Sequence, residues 1–263
     1  MRIGYIQTSP VFGEKQKNLD AVDKMLSGNK ADLIVLPELF ATGYTFQTIG
    51  EVTDLSENPD DVTSRFLCQK SLETGSAIVA GFIERDGNSY YNSASLISSG
   101  KIIGIYRKLH LFNKEKLFFS PGTISLKVYE IKGVKIGIMI CFDWMYPEVS
   151  RILALQGAQV IAHPSNLVLP YCQEAMKTRC IENRLFAVTA NRIGTEIRGT
   201  DEFKFTGGSQ IISCNGEILS SAPNDSPSID FVDIDPTLAD NKMINPYNDL
   251  LNDRRSDFYT LLS

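Results

Sequence analysis

Hydrophobic and polar positions follow two different periods along this chain. Short apolar runs such as residues 2–8 and 32–36 are typical of buried strands. Residues 14–27 instead repeat their apolar positions every three or four residues, which predicts an amphipathic helix. The first pattern predicts further strands at 77–84, 89–97, 102–108, 134–140, 159–162, 185–191, 209–213, 217–220 and 231–234. The helical period recurs at 60–73, 148–156 and 172–183.

Turn-forming residues separate several of these elements. Gly87 and Gly100 each follow a strand-like run, and Asn215-Gly216 between two such runs is a strong hairpin signal. Gly157 is placed to end the helix predicted at 148–156. We therefore predict an α/β fold with mixed sheets. Helices that cover one face of each sheet favour two sheets packed together.

Length and composition indicate an ordinary globular protein. The 263 residues suit one large domain, residues 1–263, with 43% hydrophobic and 22% charged residues. A net charge of −5 gives no basic field for nucleic acid or anionic lipid. No apolar run approaches the ~20 residues that span a bilayer, and residues 1–6 do not resemble a signal peptide. We therefore expect a cytoplasmic protein that binds neither nucleic acid nor membrane.

Cysteines and histidines limit the chemistry that the chain can perform. An odd number of cysteines without Cys-x-x-Cys pairs argues against both a disulfide framework and a zinc site. The five thiols are Cys68, Cys141, Cys172, Cys180 and Cys214. His110 is interpreted as a structural hydrogen-bonding residue, because His163 is the other histidine and no ligand set surrounds either.

Three reactive side chains each follow an apolar run, where a rigid strand fixes the backbone and the next loop opens to solvent. Glu38 follows Pro37 and the run 33–36. It is either a solvated loop residue or a general base whose pKa is raised by partial burial. Lys108 follows Arg107. This pair is either a wet basic surface or, for Lys108, an inward cation that stabilises an oxyanion.

Cys141 is the third of these residues and ends the run 134–140. Packing alone is the alternative explanation for a cysteine at such a place. Asp143 and Pro147 follow closely, so the strand must turn sharply into a helix. Backbone N–H groups at such a turn lower a cysteine pKa, and the N–H of Phe142 is a candidate oxyanion donor.

The three reactive segments together resemble the nitrilase superfamily of carbon–nitrogen hydrolases. They are Pro37-Glu38, Arg107-Lys108-Leu109-His110-Leu111-Phe112 and Ile140-Cys141-Phe142-Asp143, in this order. Further similar segments lie at 41–44, 91–94, 118–122, 179–184, 190–194 and 208–217, so the resemblance covers nearly the whole chain. It implies an αββα sandwich that pairs into an αββα–αββα homodimer, with a tail at about 236–263 at the dimer interface.

The resemblance also implies a role for each reactive residue. Glu38 matches the general base, Lys108 the transition-state lysine and Cys141 the nucleophile. Glu115 matches a supporting glutamate that positions Lys108 or the substrate. The implied reaction is attack of the thiolate on an amide carbonyl or nitrile carbon, followed by release of ammonia and hydrolysis of a thioester. It requires neither a metal nor an organic cofactor.

The segment after Cys141 indicates which branch of the nitrilase superfamily the chain resembles most. Met145 stands where several amidase branches have an arginine, so an ion pair from Asp143 to that position cannot form. The Cys-Phe-Asp-Trp form instead resembles small microbial nitrilase-like amidases. We therefore favour a small aliphatic amide as substrate, with a small nitrile as the alternative. A non-catalytic binding homologue and an acyl transferase are lower-ranked alternatives.

Residues of the substrate pocket are predicted from loops at strand ends. The candidates are Tyr44, Trp144, Asn166 and the pair at 118–119. Packing in the core or at a dimer interface is the alternative for the aromatic residues. These loops contain no acidic or basic cluster that would require a charged substrate.

Overall fold

The structure, a computed structural model, describes residues 1–259. Its strands, in chain order, are β1 (Arg2–Gln7), β2 (Leu33–Val35), β3 (Ala77–Asp86), β4 (Ser89–Ser98), β5 (Lys101–Arg107), β6 (Val128–Ile131), β7 (Val134–Ile138), β8 (Val160–Pro164), β9 (Phe186–Ala190), β10 (Thr195–Arg198), β11 (Asp201–Lys204), β12 (Gln210–Ile212), β13 (Ile218–Ser221), β14 (Ser228–Asp233), β15 (Met243–Asn245) and β16 (Asn248–Asp249). Its α-helices are α1 (Lys15–Leu26), α2 (Ile49–Leu55), α3 (Val62–Thr74), α4 (Glu115–Phe118), α5 (Pro147–Leu155) and α6 (Cys172–Asn183). Short 3₁₀ helices lie at Cys141–Met145, Pro236–Ala239 and Ser256–Phe258.

Twelve of these strands form two six-stranded sheets of the same design. The first has the order β14-β1-β2-β3-β4-β5 and the second the order β13-β12-β9-β8-β7-β6. In each sheet three neighbouring strands are parallel, β1-β2-β3 in one and β7-β8-β9 in the other. The remaining pairings are antiparallel. Both sheets are therefore mixed, as predicted.

The core follows from the alternation of side chains along each strand. Leu33 and Val35 of β2 belong to a cluster that also includes Ile136 and Ile138 of β7, so this cluster joins the two sheets. Ile34 points the opposite way and packs with the apolar residues of α1 and α3. Helices α5 and α6 cover the outer face of the second sheet. The result is the α–β–β–α layering that the sequence predicted.

Nearly all predicted strands and helices are confirmed within a few residues of their expected ends. Sequence patterns missed α2, α4, β6 and the β10–β11 and β15–β16 hairpins. Thr48 caps α2 by accepting a hydrogen bond from the Glu51 N–H, and this helix buries a single residue, so its apolar stripe is weak. Strand β11 alternates half-buried with exposed side chains and has no apolar run.

The C-terminal segment consists of short elements. The predicted tail at 236–263 contains two 3₁₀ helices and the β15–β16 hairpin, and its residues 260–263 lie outside the described residues. Within residues 1–259, no helix is both long enough and apolar enough to cross a membrane.

Candidate active site

The loops that follow β2, β5 and β7 bring the three reactive residues into one buried region. Glu38 is 0%, Lys108 1% and Cys141 5% exposed to solvent. The solvated alternatives for Glu38 and Lys108 are therefore wrong. Glu38 follows the buried run of β2, and Lys108 is the first residue after β5. Cys141 begins the 3₁₀ turn that follows β7.

Lys108 lies between two carboxylates. Its Nζ donates hydrogen bonds to Glu38 Oε1 at 2.7 Å and to Glu115 Oε1 at 2.9 Å. The backbone on both sides of the lysine is fixed, because its N–H donates to Asn92 O and its carbonyl accepts from Gly122 N. An ammonium group carries three donors, so these two bonds leave one N–H of Lys108 available.

Glu115 is held by donors from two other segments. The Tyr44 hydroxyl donates to Glu115 Oε1 at 2.6 Å, and the Phe112 N–H donates to Glu115 Oε2 at 3.1 Å. Tyr44 is itself fixed, because its N–H donates to the Glu196 carboxylate. Glu196 in turn accepts from the Arg192 guanidinium at 2.5 Å. This arrangement orients Glu115, which in turn orients Lys108.

The two oxygens of Glu38 have different surroundings. Oε1 accepts hydrogen bonds from Asn92 Nδ2 at 2.6 Å and from Lys108 Nζ. Oε2 is buried and has no hydrogen-bond partner among residues 1–259. Burial raises the pKa of Glu38 above its ordinary value of 4.5, although the Lys108 cation opposes that shift. A carboxylate with one anchored and one free oxygen is suited to accept a proton.

A close backbone approach positions the Glu38 loop. A Cβ atom added to Gly81 on β3 would lie 2.6 Å from both Glu38 Cα and Leu39 N. Because real Cβ atoms do not approach that closely, only glycine allows β3 to pack directly against this loop. No local pattern in the sequence marks Gly81 as special.

Cys141 occupies a strained turn. Its φ is 42°, in the left-handed region that residues other than glycine seldom adopt. The Asp143 carboxylate stabilises the turn by accepting from the Ile140 N–H at 2.9 Å and from the Tyr106 hydroxyl at 2.7 Å. Asp143 also accepts from the His110 N–H. Strain of this kind is typical of sharp strand-to-helix turns that present a reactive side chain.

These contacts explain how Asp143 is held without an ion pair to an arginine at position 145. The His110 ring nitrogen Nδ1 lies 2.8 Å from Asp143 Oδ1, and His110 stacks on Tyr146 with ring centroids 3.6 Å apart. Met145 is partly exposed and contributes no polar contact among the described residues. Asp143 therefore binds Tyr106 and His110 and needs no ion pair from position 145.

His163 is a site residue whose role the sequence patterns did not reveal. Its Nε2 lies 2.9 Å from the Cys141 carbonyl oxygen, which can only accept, so Nε2 carries the proton. Nδ1 then accepts from the Thr189 hydroxyl at 3.1 Å. Burial lowers the His163 pKa to about 4, which keeps the ring neutral. The sequence feature that could have identified His163 is its position near the end of β8. Glu38, Lys108 and Cys141 likewise lie just after the ends of strands.

Burial and charge set the protonation of the Cys141 thiol and of Lys108. Burial raises the pKa of the Cys141 thiol well above its ordinary value, and the nearby Glu38 adds to this, whereas Lys108 and the Asn166 backbone N–H oppose it. Burial by itself would lower the pKa of Lys108, but the Glu115 and Glu38 carboxylates outweigh it, so that pKa is raised. The resting site therefore holds a neutral thiol and an ammonium ion.

The predicted pocket residues are divided between two neighbouring cavities. Trp144 and Asn166 line a cleft with Cys141, and the remaining walls of this cleft are Phe112, Phe142, Leu167, Val168 and Leu169. Tyr44 and the pair Phe118 and Phe119 line a second cavity beside Glu115. In that second cavity the Tyr44 hydroxyl is already engaged by Glu115. Across residues 1–259, no three His, Cys, Asp or Glu side chains are grouped as metal ligands.

Comparison with known proteins agrees with this geometry. The family model described as carbon-nitrogen hydrolase matches residues 2–241. A nitrilase of Pyrococcus abyssi is 44% identical over 263 residues, covering 98% of this chain and 99% of that protein. The structure of a carbon-nitrogen hydrolase from Helicobacter pylori superposes with a TM-score of 0.89 at 26% identity, covering 100% of this chain and 97% of that one.

A third similar protein bears on the cysteine. An amidase variant from Nesterenkonia sp. AN1 superposes with a TM-score of 0.82 at 25% identity, covering 100% of both chains, and carries acrylamide added at its active-site cysteine. With the sandwich fold and the family match over most of its length, this chain belongs to the carbon–nitrogen hydrolase family of the nitrilase superfamily. It is therefore an enzyme that hydrolyses carbon–nitrogen bonds other than peptide bonds.

Proposed function

We propose that the chain hydrolyses a small uncharged amide through a thioester on Cys141, with release of ammonia. The observation that carries the proposal is the asymmetry of Glu38. Its Oε1 is held by Lys108 and Asn92, while its buried Oε2 has no partner among the described residues. Glu38 and Lys108 are also near enough to Cys141 to affect its pKa.

The first half of the reaction uses this asymmetry. Glu38 takes the proton of the Cys141 thiol, and the sulfur attacks the amide carbon. The negative charge that forms on the substrate oxygen is held by the remaining N–H of Lys108 and by the backbone N–H of Phe142. Glu38 returns its proton to the departing nitrogen, so that ammonia leaves and an acyl-thioester remains.

Water completes the cycle. Glu38, again a carboxylate, takes a proton from a water molecule that attacks the thioester carbon. The acid leaves, and the proton returns to the Cys141 sulfur. Glu115 does not touch the reacting atoms in this scheme and acts by holding Lys108. No step needs a metal or an organic cofactor.

A nitrile is the second candidate substrate. The nitrilase of Pyrococcus abyssi at 44% identity favours it. Attack of Cys141 on a nitrile carbon would form a thioimidate, and water would convert this adduct to the same thioester with loss of ammonia. The later steps are then identical, so the catalytic residues alone do not separate the two substrates.

Matched amides and nitriles with the same acyl group test the proposal. We expect ammonia from the amides and, by intact-protein mass spectrometry, an acyl adduct that maps to Cys141. Cys141→Ala should release no ammonia while its circular dichroism spectrum stays unchanged. Cys180→Ala removes another fully buried thiol, on α6, and should keep its activity. If the enzyme hydrolyses the nitriles but not the matched amides, its substrate is a nitrile and not an amide. Ammonia release by Cys141→Ala would refute the mechanism.

An acyl transferase would share the thioester but pass the acyl group to an amine. Adding hydroxylamine to the assay separates the two activities. A hydrolase yields mostly acid when water and hydroxylamine compete. A product that is almost entirely hydroxamate would favour transfer.

We also propose that the chain acts as a cytoplasmic homodimer. Ile152 and Leu155 on α5 and Ile181 on α6 are apolar side chains between 42% and 50% exposed, and these two helices pack against each other. Such a patch favours a protein partner, and the family resemblance indicates a second copy of the chain. Sedimentation velocity should show a dimer that Leu155→Lys weakens. A wild-type monomer at micromolar concentration would contradict this proposal.

A further inference from the structure

The side-chain amide of Asn166 is an unexplained polar group in the Cys141 cleft. Asn166 is 2% exposed, and neither its Oδ1 nor its Nδ2 has a hydrogen-bond partner among residues 1–259. Burying a polar group without a partner destabilises a protein, so such a group requires an explanation. Asn166 lines the same cleft as Cys141.

The backbone around Asn166 is fixed at both neighbouring residues. The Ser165 N–H donates to Ala190 O at 2.8 Å, and the Leu167 N–H donates to Asn191 Oδ1 at 2.9 Å. Asn191 is itself anchored by a bond from its Nδ2 to Gly207 O at 2.6 Å. The Asn166 backbone N–H also lowers the pKa of the Cys141 thiol, against the effect of burial. The amide is therefore held beside the nucleophile by rigid elements, as a binding residue must be.

The other walls of the cleft carry no charge. They are aromatic and aliphatic side chains, from Phe112 and Trp144 to Leu169. The nearby charges of Lys108, Glu38 and Glu115 are already paired with one another. A charged group on the substrate would lie unpaired in this cleft, which is unfavourable.

We propose that Asn166 binds a second, uncharged hydrogen-bonding group of the substrate, one that both accepts and donates. A carboxamide fits, because its oxygen accepts from Nδ2 and its N–H donates to Oδ1. The substrate class is then a short diamide, in which a few apolar carbons separate the reacting amide from a second carboxamide. This inference rests on the proposed function, in which Lys108, Phe142 and Glu38 serve the reacting amide and leave Asn166 for another group.

Succinamide and 4-methylpentanamide provide a matched pair of probes. They have the same length and branching, but the second carboxamide of the first is an isopropyl group in the second. We expect wild-type kcat/KM to favour succinamide by about tenfold or more, because a site built for hydrogen bonds rejects an analogue that lacks them. Succinamate, which places a carboxylate at that end, should also be at least about tenfold poorer than succinamide.

Asn166→Leu keeps the approximate size of the side chain and removes its polar atoms. It should abolish the preference for succinamide and improve the use of 4-methylpentanamide. Asn166→Ala provides a second variant should the leucine prevent folding. Ser64→Ala is the control, because Ser64 on α3 also has a buried Oγ without a partner among the described residues but lies outside the site. It should leave the ratio of the two kcat/KM values unchanged.

Binding to the inactive Cys141→Ala protein separates the failure of this inference from that of the proposed function. Calorimetry should show that adding Asn166→Leu weakens succinamide binding by about tenfold or more. Equal binding with and without Asn166→Leu, or equal wild-type kcat/KM for the two probes, would overturn the role of Asn166 and leave the amidase chemistry intact. Succinamide binding that depends on Asn166, without ammonia from any amide, would overturn the chemistry alone.

Discussion

The two sheets have the same strand design, yet they contribute opposite kinds of chemistry to the site. Loops of the first sheet and the segment after it supply the charged residues Glu38, Lys108 and Glu115. The second sheet supplies the neutral residues Cys141, His163 and Asn166. We call these the charged half and the neutral half of the site.

The difference shows how a buried site can contain a lysine and two carboxylates. The charged half pairs its own ions, so none of them requires a counter-charge from the second sheet. The neutral half instead fixes its groups by dipoles: His163 holds the Cys141 carbonyl, and Asn191 holds the loop that carries Asn166. Burial then favours the neutral form of the Cys141 thiol, which in the proposed mechanism gives its proton to Glu38.

Removing the lysine of the charged half should cause the largest loss of activity. Lys108→Met leaves Glu38 and Glu115 without the cation between them and removes an oxyanion donor, so we expect kcat/KM to fall by about 10³-fold. Lys15→Met is the matched control, because Lys15 Nζ pairs with the buried Glu57 Oε1 at 2.5 Å outside the site. It should lower the melting temperature but preserve kcat/KM. If Lys108→Met retained more than about a tenth of the activity, the lysine would not stabilise the transition state.

A change in the neutral half should be visible in stability at low pH. The His163 pKa is held at about 4, below its ordinary value of 6.5, so the unfolded chain binds this proton before the folded chain does. The stability present above pH 6.5 is lost as pH falls toward 4, and this histidine accounts for about 3 kcal/mol of the loss. His163→Gln keeps a donor for the Cys141 carbonyl and cannot titrate.

Urea unfolding near pH 6.5 and near pH 4 measures this difference. The free energy of unfolding should fall less between the two conditions in His163→Gln than in the wild type, because carboxylates contribute equally to both proteins. The same fall in both proteins would show that His163 is not the neutral buried group described above.

The smallest expected effect tests the coupling between Glu115 and Glu38. Burial raises the pKa of Glu38, and the Glu115 carboxylate raises it further. The proposed mechanism requires Glu38 deprotonated, so kcat/KM should fall as pH drops through a pKa above 4.5. Glu115→Gln removes a negative charge that raises the Glu38 pKa and should therefore move this acid limb to lower pH.

Tyr44→Phe serves as the control for that profile. It removes the hydrogen bond to Glu115 but keeps the carboxylate charge, so its acid limb should shift less than that of Glu115→Gln. A limb that moves to higher pH in Glu115→Gln would mean that the acid limb does not report Glu38.

Much of the fold and part of the site could be predicted from local patterns. The apolar runs before Glu38, Lys108 and Cys141 marked strand ends correctly, because burial of a strand leaves a direct record in its own residues. The hydrogen-bond partners of these residues could not be predicted from local patterns. Asn92 binds Glu38 from 54 positions away, and His163 binds the Cys141 carbonyl from 22 positions away.

The chain's own order of residues determined the mixed sheets, the three reactive side chains and the family to which they belong. Only the tertiary structure decided that Glu38 has one anchored and one free oxygen, that Lys108 lies between two carboxylates, and that the aromatic candidates divide between two cavities. The physical reason is that hydrogen-bond partners and burial, which set each pKa, depend on which strand ends meet in space. Patterns within one strand do not contain that information.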